Sequence, residues 1–193
     1  MAIANPDYPV RIEIERPERL SRLLPFVKWL LAIPHYFALY VLGIIAFIAL
    51  VIAWFAVLFT ARYPRSLFDF VVGFERWRLR VSAYLLLQTD RYPPFSLAED
   101  PGYPVHLEVD FPQAIARWRP LVQWLLVIPA LFAAAIVGLL ACFAVIAAFF
   151  AILFTARYPE GLFNTVTVAQ RWSARTLLYA YWMTAAYPPF VWA

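Results

Sequence analysis

Apolar and polar positions alternate through Val10-Arg11-Ile12-Glu13-Ile14-Glu15, the two-residue period of a β-strand. The alternation returns in phase at Val105-His106-Leu107-Glu108-Val109-Asp110. Short lone strands are stable only when paired, so each predicts the other as its partner. Pro17 and Pro112 then predict the first turn of a helix that carries Arg22 or Arg117 and leads to Trp29 or Trp124. Two apolar runs follow, 26–59 and 121–154. The first holds only Lys28 and His35 as ionisable groups, near its start where both can snorkel to water, and the second holds none. Each is long enough to cross a bilayer, which takes about 20 residues. Pro34 and Pro129 predict an early kink or restart. Each run ends in Thr-Ala-Arg-Tyr-Pro, at 60–64 and 155–159. There a cation suits the helix C-terminus and the residue before proline leaves the helical region. The segment 66–88, copied as 161–183, is amphipathic: Asp69, Gly73, Arg76, Arg80 and Tyr84 fall on one side, Leu67, Phe70, Phe74, Val81 and Leu85 on the other. Three arginines near the centre of a span would cost about 2.5–3.5 kcal/mol each. An amphipathic helix lying in the membrane interface is therefore expected.

These patterns recur because the chain is one sequence written twice. Residues 8–95 and 103–190 align without a gap, and nearly half of the paired positions are identical. The organisation reads as an N-terminal tail (1–7), repeat 1 (8–95), a linker (96–102), repeat 2 (103–190) and a C-terminal tail (191–193). The expected fold is mainly α and membrane-integral: two pseudo-symmetric repeats, each a short strand, a membrane-embedded helical stretch and an interfacial helix.

The membrane stretch admits two arrangements. Thirty-four residues as one helix would measure about 51 Å, against a hydrocarbon core of about 30 Å. Either one long kinked helix spans, or the run folds as a helical hairpin turning near Gly43 and Gly138. The hairpin is favoured. It lets the two strands share a side, keeps the repeated arginine motifs in one compartment, and puts the cations flanking each run on the cytoplasmic side. Against it, no polar turn surrounds Gly43, and a turn in hydrocarbon leaves backbone groups unpaired.

Comparing the copies separates what is kept from what is lost. Ala46, Ala49, Ala53 and Ala56 return as Ala141, Ala144, Ala148 and Ala151. Their spacing lines one helix face, and small residues let membrane helices pack closely. This predicts a packing seam between repeats or between subunits. Arg76, Trp77 and Arg80 return as Arg171, Trp172 and Arg175, whereas the possible Glu75–Arg78 pair becomes Gln170 and Ser173. The kept arginines have no acid three or four residues away on their helix to offset them. Lipid phosphate is the first expectation, since arginine holds it bidentately, with Glu13 and Glu108 as the protein alternative. Arg62 and Arg157 join them as candidate headgroup contacts. Trp29, Tyr63, Trp77, Trp124, Tyr158 and Trp172 are the expected interfacial anchors. The six Tyr-Pro pairs read as anchor plus helix breaker.

Composition agrees with a membrane protein. The hydrophobic fraction is 64%, with mean hydropathy +0.70, beyond a soluble domain. The charged, proline-containing start predicts no cleavable signal peptide. The formal charge of +4 suits anionic lipid and not nucleic acid. A single cysteine, Cys142, excludes an internal disulfide and reads as a packing residue. No catalytic motif occurs. His35 and His106 lack metal-ligand spacing, and His35, Asp69, Glu75 and Cys142 all fail to repeat. No enzyme activity, metal or cofactor is expected.

The motifs Leu58-Phe59-Thr60-Ala61-Arg62-Tyr63-Pro64, Arg76-Trp77 and Tyr92-Pro93-Pro94-Phe95 resemble a bacterial membrane-protein family known only as domain of unknown function 4389. The resemblance covers both repeats. Some relatives look like a single copy, with Gly where Ala61 stands. It implies a bacterial inner-membrane location and brings no activity or catalytic residues. The expected function is a multi-pass scaffold or accessory subunit, cytoplasmic at its repeat ends, that binds anionic phospholipid and joins a homo-oligomer or a larger membrane complex. An oligomeric pore or transporter and a lipid-handling protein are the alternatives.

Overall fold

The computed structural model describes residues 8–189 and 191; the tail 1–7 and residues 190, 192 and 193 lie outside the described residues. Each repeat is a strand followed by three helices. Repeat 1 holds β1 (Val10–Ile14), α1 (Leu24–Leu31), α2 (Ile33–Thr60) and α3 (Arg65–Leu85); repeat 2 holds β2 (Val105–Val109), α4 (Arg119–Leu126), α5 (Ile128–Thr155) and α6 (Glu160–Ala180). The strands do pair with each other, antiparallel, with Ile12 opposite Leu107. Those two residues occupy the same place in their repeats, so a pseudo-twofold axis passes between them, normal to the sheet. Backbone bonds obey the same symmetry. Glu15 N–H donates to Pro104 O and Asp110 N–H to Pro9 O, both at 2.9 Å; Leu20 N–H reaches Ala156 O at 2.9 Å and Ile115 N–H reaches Ala61 O at 3.1 Å.

The prolines act slightly differently from expectation. Pro17 and Pro112 stand in irregular chain. The short helices begin instead around Pro25 and Pro120, which need no amide partner in a first turn. Pro34 and Pro129 restart the long helices as expected. At the first junction Ala32 keeps a helical φ of −80°. Its N–H still donates to Lys28 O at 2.9 Å and its O accepts from Tyr36 N–H at 3.0 Å, so the join is a kink and not a loop.

The hairpin expected at Gly43 is absent. Gly43 lies inside α2, a continuous helix of 28 residues, about 42 Å long. Unbroken helix keeps every backbone group bonded within the segment, which a turn amid apolar residues would not. The reversal comes at the end of the run. Ala61 takes a left-handed conformation with φ 58°, at a cost of about 1–2 kcal/mol for a residue with a Cβ, and its N–H caps Val57 O at 2.9 Å. Ala156 repeats this at φ 57°. Beyond the turn α3 runs back along α2: a Cβ at Gly43 would touch Phe74, and Trp77 reaches His35 at the start of α2. The hairpin is thus α2–α3, and the strands share a side with the apolar run intact.

Three layers result. The sheet lies on α3 and α6, and these lie on α2 and α5. The main core joins Val10, Ile12, Val105 and Leu107 of the strands to Phe68, Val71 and Leu79 of α3, Ala174 and Leu178 of α6, and Ala49, Ala53 and Val57 of α2. The amphipathic helix is therefore not an exposed interfacial element. Its polar side is covered by the strands and its apolar side by α2, leaving Phe68, Val71, Glu75, Trp77, Arg80 and Tyr84 buried.

Candidate membrane-facing surface and the buried arginine pairs

Three of the four repeated helix arginines reach strand backbone, and Arg80 reaches the linker. Arg76 donates to Leu107 O at 3.2 Å and to Leu97 O at 3.0 Å, and pairs with Glu99. Its twofold mate Arg171 donates to Ile12 O at 3.1 Å. Arg80 donates to Ala98 O at 3.1 Å and lies 5.6 Å over the Tyr103 ring. Arg175 reaches Val10 O at 3.4 Å and lies 5.0 Å over the Tyr8 ring. Arg80 and Arg175 are fully buried, so no headgroup reaches them; Arg76 and Arg171, half-buried, spend their donors on the strands. Burial pulls the pKa of Arg80 down, against the nearby Glu99 carboxylate that raises it, and burial likewise lowers Arg171 and Arg175.

The acid of repeat 1 is Glu99, in the linker, where it also meets His106 at 2.9 Å. Sequence comparison missed it because position 99 has no counterpart within repeat 2. Of the acids proposed earlier, Glu108 is taken by Arg11 at 3.1 Å, and Glu13 acts on Arg171 through charge alone. The possible Glu75–Arg78 pair forms, at 2.7 Å, with Glu75 buried.

The alanine stripe is a buried seam inside the chain, set mainly against the repeat's own amphipathic helix. Ala49, Ala53 and Val57 pack on Phe68, Val71 and Val72 of α3; Ala141 and Ala144 pack on Val166, Val168 and Ala169 of α6; Ala148 continues the row beside Phe163. Ala46 is buried too, while Ala56 and Ala151 are half-buried at the edge. The main helix partner is the repeat's own amphipathic helix, and the other repeat adds to the seam: Leu20 and Leu87 join the cluster of Ala148, and Ala174 and Leu178 that of Ala49 and Ala53. Small residues fit because α3 and α6 bring the bulk.

The expected anchors divide. Trp29 and Trp124 are exposed, each donating its indole N–H to a carbonyl three residues earlier. Tyr63, Trp77 and Tyr158 are buried core residues, and Trp172 is half-buried. Of the Tyr-Pro tyrosines, Tyr8, Tyr63, Tyr103 and Tyr158 are buried and only Tyr92 and Tyr187 are exposed, so most of these pairs fix turns against the core. Lys28 and His35 do not snorkel. The Lys28 ammonium turns inward to Thr89 O at 2.7 Å and Asp90 at 2.9 Å. His35 accepts from the Trp77 indole at 3.1 Å and stacks on Phe95 at 4.0 Å.

What faces outward is apolar. The stretches Leu24–Thr60 and Arg119–Thr155 are each long and apolar enough to cross a membrane, and only 22% and 28% of their most apolar windows are buried. The core helix of a soluble protein would be mostly covered. Phe37, Tyr40, Phe47, Ile52 and Phe59 stand out from α2; Phe132, Leu139, Phe143, Ile146 and Phe154 stand out from α5. Apolar grooves run beside these helices, one lined by Phe47, Leu50, Val51, Trp54, Tyr181 and Trp182. Arg62 and Arg157 are exposed where the long helices end, and Arg22 and Arg117 where the short ones begin. Among the described residues no group of His, Cys, Asp and Glu is placed to hold a metal ion.

The profile of a family described as a domain of unknown function (DUF4389) matches residues 22–96 and again 117–191. Both matches begin after a strand, so the sheet lies outside them. No curated protein and no solved structure matches the chain. The chain belongs to the DUF4389 family, as a tandem two-copy member.

Proposed function

We propose that this tandem DUF4389 protein is a non-enzymatic membrane scaffold or accessory subunit, held in the bacterial cytoplasmic membrane by the outer surfaces of α1, α2, α4 and α5. One observation carries the reading: those four helices expose large aliphatic and aromatic side chains along their whole outer length. Contiguous apolar surface beyond a few hundred Å² is rare on soluble monomers and marks contact with lipid or protein. The headgroup contacts are Arg62 and Arg157, joined by Arg22 and Arg117, in place of the buried helix arginines. A homo-oligomer or a larger membrane complex would provide the functional partner.

Flotation tests this. Purified protein should float with phosphatidylglycerol vesicles, and less well with phosphatidylcholine vesicles. Replacing Arg62 and Arg157 with Gln should weaken binding to the anionic vesicles by about 10-fold or more, at about 1 kcal/mol per basic residue. Protein that stays soluble and monomeric without vesicles or detergent would refute the membrane reading.

A further inference from the structure

We propose that α2 and α5 lie parallel to the membrane plane within a single leaflet, with acyl chains covering the apolar face, so that neither long helix crosses the bilayer. The inference rests on the membrane reading above and goes beyond it by fixing how the molecule sits. It follows from where the pseudo-twofold axis points. Ile12 and Leu107 pair directly, so the axis is normal to the sheet, and both repeats present their long helices on the same face. The stripe from Ala46 to Val57 holds α2 on α3. In turn α3 lies along β2, with Phe68 at 5.0 Å from Phe111 near one end of the strand and Arg80 over Tyr103 near the other. Sheet, middle helices and long helices are therefore stacked slabs.

Both ends of α2 are held by hydrogen bonds that join neighbouring segments of the chain. At the start, Tyr92 donates to Leu31 O at 3.0 Å beside the Lys28–Asp90 pair. At the end, Ile115 binds Ala61 O, and Trp54 donates to Pro120 O at 3.0 Å. Opposite the middle of the long helices the sheet exposes a charged cluster, Arg11 with Glu108 and Asp110 at 3.1 and 2.7 Å. A bilayer-spanning protein carries an apolar belt around its whole girth. Here the apolar surface is one face, and upright helices would place the Arg11 cluster at the membrane midplane.

Charge selects lipid over a second copy as the occupant. Arg22, Arg62, Arg117 and Arg157 rim the face in twofold-related pairs, exposed and without an ion-pair partner among the described residues. Face-to-face packing of two copies would bring these like charges together, whereas anionic headgroups complement them.

Depth measurement tests the seating. In a Cys142→Ser background, single cysteines at Phe132, Phe143 and Phe154 carry a fluorophore or spin label quenched by lipids labelled at graded acyl positions. These phenylalanines are 72%, 63% and 72% exposed and follow one face of α5 at about 16 Å spacing. In-plane seating gives three equal depths within a few Å. A crossing helix gives a deep central label with both outer labels about 16 Å shallower, which overturns the inference and leaves the membrane reading intact. Failure of wild type to float with vesicles overturns both. A second pair of variants removes dependence on the α5 substitutions. Cysteines at Ser66 and Gly161, also in the Cys142→Ser background, should react with an impermeant thiol reagent from the same side; reaction from opposite sides overturns the inference.

Discussion

Gly73 is where α3 and the linker press closest. A Cβ built there would lie 2.9 Å from both the Cβ and the backbone oxygen of Leu97. A neighbouring side-chain tip could swing aside, but Leu97 O cannot, because it accepts from Arg76 at 3.0 Å. Helix propensity alone favours Gly→Ala by about 1 kcal/mol. Against that stand about 1–3 kcal/mol of overpacking and part of a charged hydrogen bond worth about 1.5–3 kcal/mol. The net expectation for Gly73→Ala is destabilisation by about 2 kcal/mol. In a chain of this size that lowers the melting temperature by roughly 4–8 °C. Gly138, inside α5 with nothing within 4 Å of a built Cβ, is the internal control: Gly138→Ala should hold or raise stability by up to about 1 kcal/mol. Thermal unfolding followed by circular dichroism in detergent reads both. If Gly73→Ala stabilises as Gly138→Ala does, the linker is not clamped on α3, and the arrangement of Arg76, Leu97 and Glu99 is refuted.

Three further outcomes follow from the packing. Glu99→Gln should cost about 1–2 kcal/mol by unfolding, the charged-bond value discounted because Glu99 is 38% exposed; no change would remove the linker acid as the partner of Arg76. Ala148→Leu should destabilise by about 1–3 kcal/mol without altering oligomeric state in light scattering, since Ala148 is fully buried inside the chain beside Leu20, Leu87 and Phe163; a shifted oligomer with unchanged stability would return the seam to a subunit interface. Burial holds the Tyr8 hydroxyl neutral up to about 12 and raises Tyr63, Tyr103 and Tyr158 as well. Their folded pKa values lie above the unfolded value near 10. Their stabilising effect is therefore full below about pH 10 and lost as pH rises from there through 12. Alkaline unfolding should accompany tyrosinate absorbance in that window, and early independent ionisation of all tyrosines would contradict the burial.

Local periodicity made the elements legible. Strand alternation, the proline restarts, the long apolar helices and the amphipathic helix all stand within a few residues of where the pattern places them, and strand pairing followed from the strands' isolation. What the pattern could not reach was which element covers which. A helix with arginines on one side reads the same whether that side meets water, headgroups or carbonyl oxygens. Arg76 and Arg80 meet carbonyls of the linker and of β2, which fold over the polar side of α3. The hairpin near Gly43 is what the sequence predicts from the need to bring both strands, the repeated arginines and the flanking cations to one side. The real turn at Ala61 meets that need, but a left-handed alanine carries no glycine to signal it. Buried Tyr63 and Tyr158 show the same limit: tyrosine before proline marks a turn, and only the fold decides whether the ring faces lipid or core. Glu99 escaped internal comparison because its segment is present once.

In the proposed seating, acyl chains cover one face of the molecule, the outer sides of α1, α2, α4 and α5. Reconstitution with phospholipids bearing a photoactivatable group in the acyl chain, followed by mass-spectrometric mapping of the adducts, tests it most directly. Labelling should fall on Phe37, Phe47, Phe59, Phe132, Phe143 and Phe154 and spare Arg11, Glu108 and the buried side of α3. Adducts encircling the molecule, or a long-helix surface left unlabelled, would contradict that seating.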